Sequence, residues 1–510
     1  MKDWCRKMDY NITLPKGWAK LSIVNDLNYI KTGVEKYEGE KEYFSTGSIN
    51  GNVAIPEGKY EYDKRPSRAN RIAKLGDVLQ ARMKKTDKAI LVDKNLDGKL
   101  FSTGFFQIRA DEKLIHNKYL FYYLKSFNFN KIKDELCSGS TQEALNDQNA
   151  KKIYIPVPPI NEQRRIANKI SELFSEIDKG IENFTNIKKQ IYIYRQSILR
   201  DAFAGRLTSK WRENNNINQE SAKELLQNIK RLMENEYERK KREFEVNYKL
   251  WVVKKEGKKP IKPKKKEELA QLTKEELEKL EKLPQGAMWV KLGEIFDIYI
   301  GATPSRKINE YWNGDINWVS SGEVNFCKIY DTKEKITKLG LEKSSTEIHP
   351  IDTIMLAMIG EGKTRGQVAI LKVEAAHNQN TAAIRTHTSG CSPEFLYYFL
   401  LFTYELTRTI GSGNNQKALN KNKIENIPYP LFCINEQKKI VEEIELRLSK
   451  CESIEKLINE TIEKAEALKQ SILKKAFEGK LVPQDPNDEP VEELLKQIKA
   501  EDKNKKHEIK

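Results

Sequence analysis

Three observations predict a mixed α+β chain built as a pseudo-twofold internal repeat. Segments of the 510-residue sequence return, in order, in its second half. The returning segments carry a helical apolar period. The stretches between them alternate short apolar strands with turn residues. The expected architecture is two α/β domains separated by two long helices that pair as an antiparallel coiled coil.

The repeat is read directly. "INEQRRI" at Ile160–Ile166 returns as "INEQKKI" at Ile434–Ile440. "QSILRDAFAGRL" at Gln196–Leu207 returns as "QSILKKAFEGKL" at Gln470–Leu481, with the same offset. Gln142, Ala144, Leu145 and Asn146 match Gln416, Ala418, Leu419 and Asn420. "ELLQNIK" from Glu224 echoes "ELLKQIK" from Glu493, and "LPKGWAKL" from Leu14 resembles "LPQGAMWVKL" from Leu283. The order is a variable domain at 1–159, a helical repeat with a Lys-rich linker at 160–282, a second variable domain at 283–433 and a second helical repeat at 434–510.

The two long helices follow from their spacing. Ile166, Ile170, Leu173, Ile177, Ile181, Phe184, Ile187, Ile191, Tyr194 and Ile198 recur every three or four residues. The second copy offers Ile440, Ile444, Cys451, Ile454, Ile458, Leu468 and Ile472. Each is a single seam that needs a partner, and the other copy in the same chain is the cheapest one. The Pro-rich runs "IPVPPI" and "IPYPLF" launch the helices, and Gly205 and Gly479 fit C-terminal caps, while Gly180 is a point where the first helix could bend. About 40–45 residues at ~1.5 Å each make a rod of roughly 60–65 Å. That spans nearly two turns of B-DNA at ~34 Å per turn. Antiparallel rods would set the two domains at opposite ends. After the first rod, "KKEGKKPIKPKKK" (Lys254–Lys266) reads as a solvated linker, and "KEELAQLTKEELEKLEKL" as a short amphipathic helix.

Composition narrows the partners. Net charge is +16, from 90 Lys and Arg against 74 Asp and Glu, which favours an anionic partner, nucleic acid first. No apolar run approaches the ~20 residues of a membrane helix. Six scattered cysteines without a CxxC pair argue against a disulfide framework or a zinc site and fit a reducing cytoplasm. Five histidines, none in HExxH spacing, speak against a His-rich metal centre.

Within the domains the informative parts are polar loops. In the first they hold Lys64, Arg65, Ser67, Arg68 and Arg71, then Lys84 and Lys85, then Thr141 and Gln142. In the second they hold Thr303, Ser305, Arg306 and Lys307, then Lys363, Thr364 and Arg365, then Asn378, Gln379 and Asn380. Arg reads guanine and Asn or Gln reads adenine through bidentate hydrogen bonds, while Lys, Ser and Thr hold phosphates. The aromatic runs "NKYLFYYLKS" and "PEFLYYFLLFTYEL" read as core helices.

Two motifs invite enzyme readings. "AMIGEGKTRG" (Ala357–Gly366) fits the relaxed phosphate-binding loop, but a P-loop opens a helix, and here "QVAIL" follows, a strand pattern. A basic hairpin loop offering Lys363, Thr364 and Arg365 to DNA is the better reading. "NIPY" (Asn426–Tyr429) approaches the adenine-methyltransferase loop, but Ile427 replaces its first proline and no Gly-rich cofactor loop accompanies it. No nuclease constellation is assembled. The rival classes are a P-loop NTPase using Lys363 and a coiled-coil scaffold that never meets DNA.

The whole chain resembles the specificity (S) subunits of type I restriction–modification enzymes. The resemblance is carried by "PVPPINEQRRI", "YPLFCINEQKKI", "QSILRDAFAGRL", "QSILKKAFEGKL" and "GKLVPQDPNDEPVEELL", and inside the domains by "PSRANRIAKLGDVLQARM" and "GATPSRKINEYWNGDINWVSSGEV". It implies two target-recognition domains, each reading half of a split DNA site. It also implies a helical ruler, two methyltransferase (M) subunits using S-adenosylmethionine, and two restriction (R) subunits using ATP and Mg. Catalysis and cofactors would reside in those partners, in a prokaryotic, nucleoid-associated cytoplasmic complex. The long Lys-rich insertion after the first helix departs from the family pattern.

Overall fold

A computed structural model of the chain describes residues 14–51, 53–139, 143–215, 221–256, 259–360, 362–409 and 418–508. They form two compact units, 1–186 with 457–510, and 187–456.

The first domain contains β1 (Tyr29–Ile30), β2 (Lys41–Phe44), β3 (Gly58–Tyr60), β4 (Ala69–Ile72), β5 (Asp77–Ala81), β6 (Ala89–Leu91), β7 (Leu100–Ser102) and β8 (Phe105–Arg109), then helices α1 (Asn117–Lys125) and α2 (Phe127–Glu135). One sheet runs β1-β8-β5-β6 and the other β3-β2-β7-β4. The rod α3 (Ile160–Phe203) follows, then α4 (Ala222–Lys254). The second domain contains β9 (Asp297–Ile300), β10 (Trp312–Val319), β11 (Cys327–Ile329), β12 (Glu334–Ile336), β13 (Ile354–Ala357), β14 (Val368–Leu371), β15 (Ala375–His377) and β16 (Thr381–Arg385), then α5 (Pro393–Phe402) and α6 (Tyr404–Thr409). Its sheets run β9-β16-β13-β14-β11 and β12-β10-β15. The second rod α7 (Ile434–Phe477) and α8 (Val491–Glu508) complete the chain.

The domains share most of their strand order: β1-β8-β5-β6 corresponds to β9-β16-β13-β14 and β3-β2-β7 to β12-β10-β15, while β4 and β11 join different sheets. The parallel pairing of β2 with β7 matches that of β10 with β15, and the antiparallel β5–β8 pairing matches β13–β16. The sequence repeat shows only loosely here, because strands need alternating burial rather than particular residues.

The repeated motifs are the hardware joining each domain to the rods. In the first unit, Trp18 Nε1 donates to Glu162 at 3.1 Å, and Gln163 takes the His116 amide at 2.8 Å while donating to the Leu114 and Pro158 carbonyls. In the second unit, Thr208 and Arg212 engage Glu436, and Gln437 takes the Ser392 amide at 3.1 Å and donates to Phe432 at 2.8 Å. The motif "NEQ" thus ties each helix start to its own domain. Phe477 lies edge-on to Tyr119 and Tyr123 of α1, at 5.4 and 5.0 Å. Phe203 meets Phe395 and Phe399 of α5 in the same way, at 5.2 and 5.4 Å. Gly205 and Gly479 cap the rods at φ +70° and +69°, where an added Cβ would strike Pro284 and Pro15 respectively. "LP" at the head of each domain is therefore a cover for a rod's end.

Antiparallel pairing appears within each unit. In the first, Ile166 and Ile170 share a core cluster with Ile472 and Phe477, and Lys469 pairs with Asp178 at 2.6 Å. In the second, Arg195 pairs with Glu455 at 3.0 Å. Ile177 packs against the first cluster, and Ile191, Ile198, Ile440, Ile444, Cys451, Ile458 and Ile472 are buried. Ile454 corrects the expected seam: it is 47 % exposed, as Ile187, Tyr194 and Leu468 are also exposed. The buried stripe keeps its seven-residue step through Ile444, Cys451, Ile458 and Ile472, and Ile454 lies beside it. Helix α3 runs unbroken through Gly180.

Packing divides the chain differently from sequence order, because the unit boundary falls inside both rods, between Asn186 and Ile187 and between Lys456 and Leu457. Helix α4 adds a second long helix to the segment 160–282. A Ser221–Glu224 capping box starts it, Ala222, Leu225 and Ile229 bury its first turns, and Val246, Leu250 and Val253 stay exposed further on. The expected helix beyond the Lys-rich run shrinks to Lys274–Glu278.

Candidate nucleic-acid interface

The same clasp gathers loops at one edge of each domain. In the first, the Arg82 amide donates to Gly104 at 2.8 Å, and the Arg82 carbonyl accepts from Leu145 at 2.8 Å. In the second, Met358 donates to Asn380 at 2.9 Å and accepts from Leu419 at 3.0 Å. The β5–β6 loop therefore meets the β7–β8 turn, as the β13–β14 loop meets the β15–β16 turn. Thr103 also donates to the Arg68 carbonyl at 2.8 Å, which brings residues 63–71 to the same edge. Ala302 donates to the His377 carbonyl at 3.0 Å, which brings in the β9–β10 loop. Gly301 is required there, since a Cβ would lie 2.2 Å from that carbonyl oxygen. Loops distant in sequence thus form one polar face per domain.

The predicted residues divide sharply on that face. Ser67, Arg68, Lys85, Ser305, Lys307 and Lys363 are exposed. Thr303 and Gln379 hydrogen-bond to each other across two loops. Thr364 is half-buried against Gly360, and the Asn380 amide donates to Asn378 Oδ1. Lys64 pairs with Glu61 at 2.9 Å and Lys84 with Glu143 at 2.7 Å. Arg306 forks onto Glu334 at 2.6 and 2.9 Å and lies over Trp312, and its hydrogen bond holds the Glu334 carboxyl below the usual carboxylate range. Arg65 turns back on Tyr62 and donates to Ala69.

Three of the expected residues lie buried rather than on the surface. Arg71 is buried, its Nη1 donating to Ile30 at 2.8 Å, and burial followed by the Arg82 charge pushes it down to about 10. Arg365 is buried and donates to the Arg408 carbonyl at 2.7 Å. Asn378 is buried and its Oδ1 accepts from Asn380 and Thr381. Thr141 and Gln142 lie outside the described residues.

The enzyme motifs are structural. Ala357 donates to Gln367 at 2.9 Å and Gly366 to Ala357 at 2.8 Å, which closes the would-be P-loop as a hairpin into strand β14. Strand β14 rather than a helix follows Thr364, so this geometry does not support the NTPase reading. Tyr429 of "NIPY" is fully buried between Phe296 and Phe395.

Sequence reasoning missed the residues beneath the face. The His349 and His377 rings lie 4.8 Å apart, tilted by 56°, and Arg385 Nε donates to His349 Nδ1 at 3.0 Å. Lys133 and Tyr404 reach the loop backbones from neighbouring helices. A lysine among 90 cations carries no signal of burial.

The family model for the type I restriction modification DNA specificity domain matches residues 23–186 and 284–464. The chain belongs to that family. The specificity subunit of EcoBI from Escherichia coli is 23 % identical over 403 residues, covering 76 % of this chain and 72 % of that protein. The specificity subunit of EcoDI from Escherichia coli is 22 % identical over 474 residues, covering 91 % and 94 %. A chain solved in a study of type I R-M assembly and conformational transition superposes with a TM-score of 0.63 at 20 % identity, over 92 % of this chain and all of that one. The specificity-subunit fold is therefore this chain's fold. Among the described residues no helix is long and apolar enough to cross a membrane.

Proposed function

We propose that this chain is the DNA-reading subunit of a type I restriction–modification complex. Its two domains read the halves of a bipartite, asymmetric site, and the paired rods fix the spacing and rotation between them. It lends that address to two methyltransferase and two restriction subunits, which supply the S-adenosylmethionine, ATP and Mg chemistry. The observation that carries this reading is the duplicated clasp: one backbone device presents loops of different sequence in the two domains. A repeated frame with differing loops suits two different half-sites. Basic side chains would give salt-dependent affinity by counterion release, and loop polar groups would choose bases.

Single-molecule sequencing of modified adenines in the host tests this. Adenine methylation at a split site should be present with the gene and vanish on its deletion. Methylation that survives the deletion, or sites without an unread spacer, would sink the reading.

A further inference from the structure

The β5–β6 and β13–β14 loops are each fastened to the helix beside the aromatic helix, and the two fastenings run in opposite senses. In the first domain the cation belongs to the helix. Lys133 of α2 has 0 % exposure, and its Nζ donates to the Met83 carbonyl at 2.9 Å and also to the Thr86 carbonyl. Asp134 beside it accepts the Lys85 amide at 3.1 Å on both oxygens. Lys85 holds φ +60°, a left-handed conformation that costs a lysine energy unless its surroundings enforce it. In the second domain the cation belongs to the loop. Arg365, 6 % exposed, donates into α6 at Arg408 O, and Tyr404 of α6 donates its hydroxyl to Lys363 O at 2.5 Å.

A buried cation is tolerated only while its acceptors stay in place. Moving residues 83–86 would leave the Lys133 ammonium only Asp134, 3.2 Å away on its own helix, and moving Arg365 would take it from its acceptor at Arg408, so both stretches are held in place. Bidentate base contacts depend on such placement, because small displacements of a supporting shell degrade them.

We propose that Lys133, and Arg365 together with Tyr404, are positioning residues that set base selectivity, each for its own domain. This rests on the DNA-reading function above. The test uses the full complex with its methyltransferase partners, carrying Lys133→Met or Tyr404→Phe, assayed against every single-base variant of both half-sites. Lys133→Met should lower discrimination by about tenfold in the half read by the first domain and leave the other intact, the scale of one lost bidentate contact. Tyr404→Phe, which removes only one oxygen, should do the reverse. Amide exchange in the chain should quicken at 82–88 in the first variant and at 358–367 in the second. Unchanged exchange, or lowered melting with unchanged base preference in both halves, overturns the locks. A wild-type complex without bipartite preference would instead overturn the DNA-reading function, while the exchange result still judges the locks.

Discussion

Lys307 and Lys363 stand exposed on the second domain's face, and neither side chain has a hydrogen bond or ion pair among the described residues. Arg306 beside them is already spent on Glu334. Alanine at Lys307 or Lys363 should therefore weaken binding evenly across sequences and reduce the slope of log K against log salt by about 0.9 per lost phosphate contact. Salt titrations by fluorescence anisotropy check this; a changed base preference with an unchanged slope would contradict it. Below the face, burial holds His349 down to about 2, helped by the charges on His377 and Arg385, and burial holds His377 down to about 4. The unfolded chain, at the ordinary histidine value of ~6.5, binds more protons between those limits. Stability present above pH ~6.5 is thus lost as pH falls through that window. Thermal melting should drop between pH 7 and 5, and drop less steeply in His349→Gln. An equally steep fall in the variant would place the effect elsewhere. Which cations face solvent was not legible in the sequence: Arg68 and Arg71 sit three residues apart in one basic stretch, yet Arg71 falls in strand β4 and is buried while Arg68, just before the strand, stays exposed.

At the scale of elements, the buried glutamines bind helix to domain. Gln163→Ala or Gln437→Ala would leave buried backbone groups unpaired, at about 1–3 kcal/mol for each substitution. Urea melts should show that loss, and a loss well under 1 kcal/mol would mean water substitutes for the amide. The rods invite a geometric prediction. One added helical turn, ~5.4 Å, exceeds one base-pair step of ~3.4 Å. Inserting a turn between Ile166 and Ile198 should change the preferred spacer while both half-sites persist, as read by methylome sequencing. An unaltered spacer would remove the ruler. Rods and caps were readable beforehand because apolar period and C-terminal glycine are local signals. The seam at Ile454 and the unpacked length of α4 were not, since both depend on what lies opposite.

Across the whole molecule, the proposed pair of reading domains on one frame should behave as a bivalent ligand. A duplex with one half-site scrambled should bind about 10²–10⁴-fold more weakly than the intact site. Equal affinity for both duplexes would mean that one domain does the reading alone. On that reading the net charge of +16 would act at both faces without sequence choice, so this ratio should survive changes of salt better than either affinity.

What the sequence determined by itself is the duplication, the two rods and the strand-rich domains between them. Those follow from repetition and periodicity, which the chain carries in linear order. Only the tertiary structure decided that Pro15 covers Gly479 and Pro284 covers Gly205, that Arg71, Arg365 and Asn378 turn inward, and that Lys133 and Tyr404 pin the loops. Burial and pairing are properties of neighbours far apart in the chain, and a charge reveals its role only when those neighbours are in place.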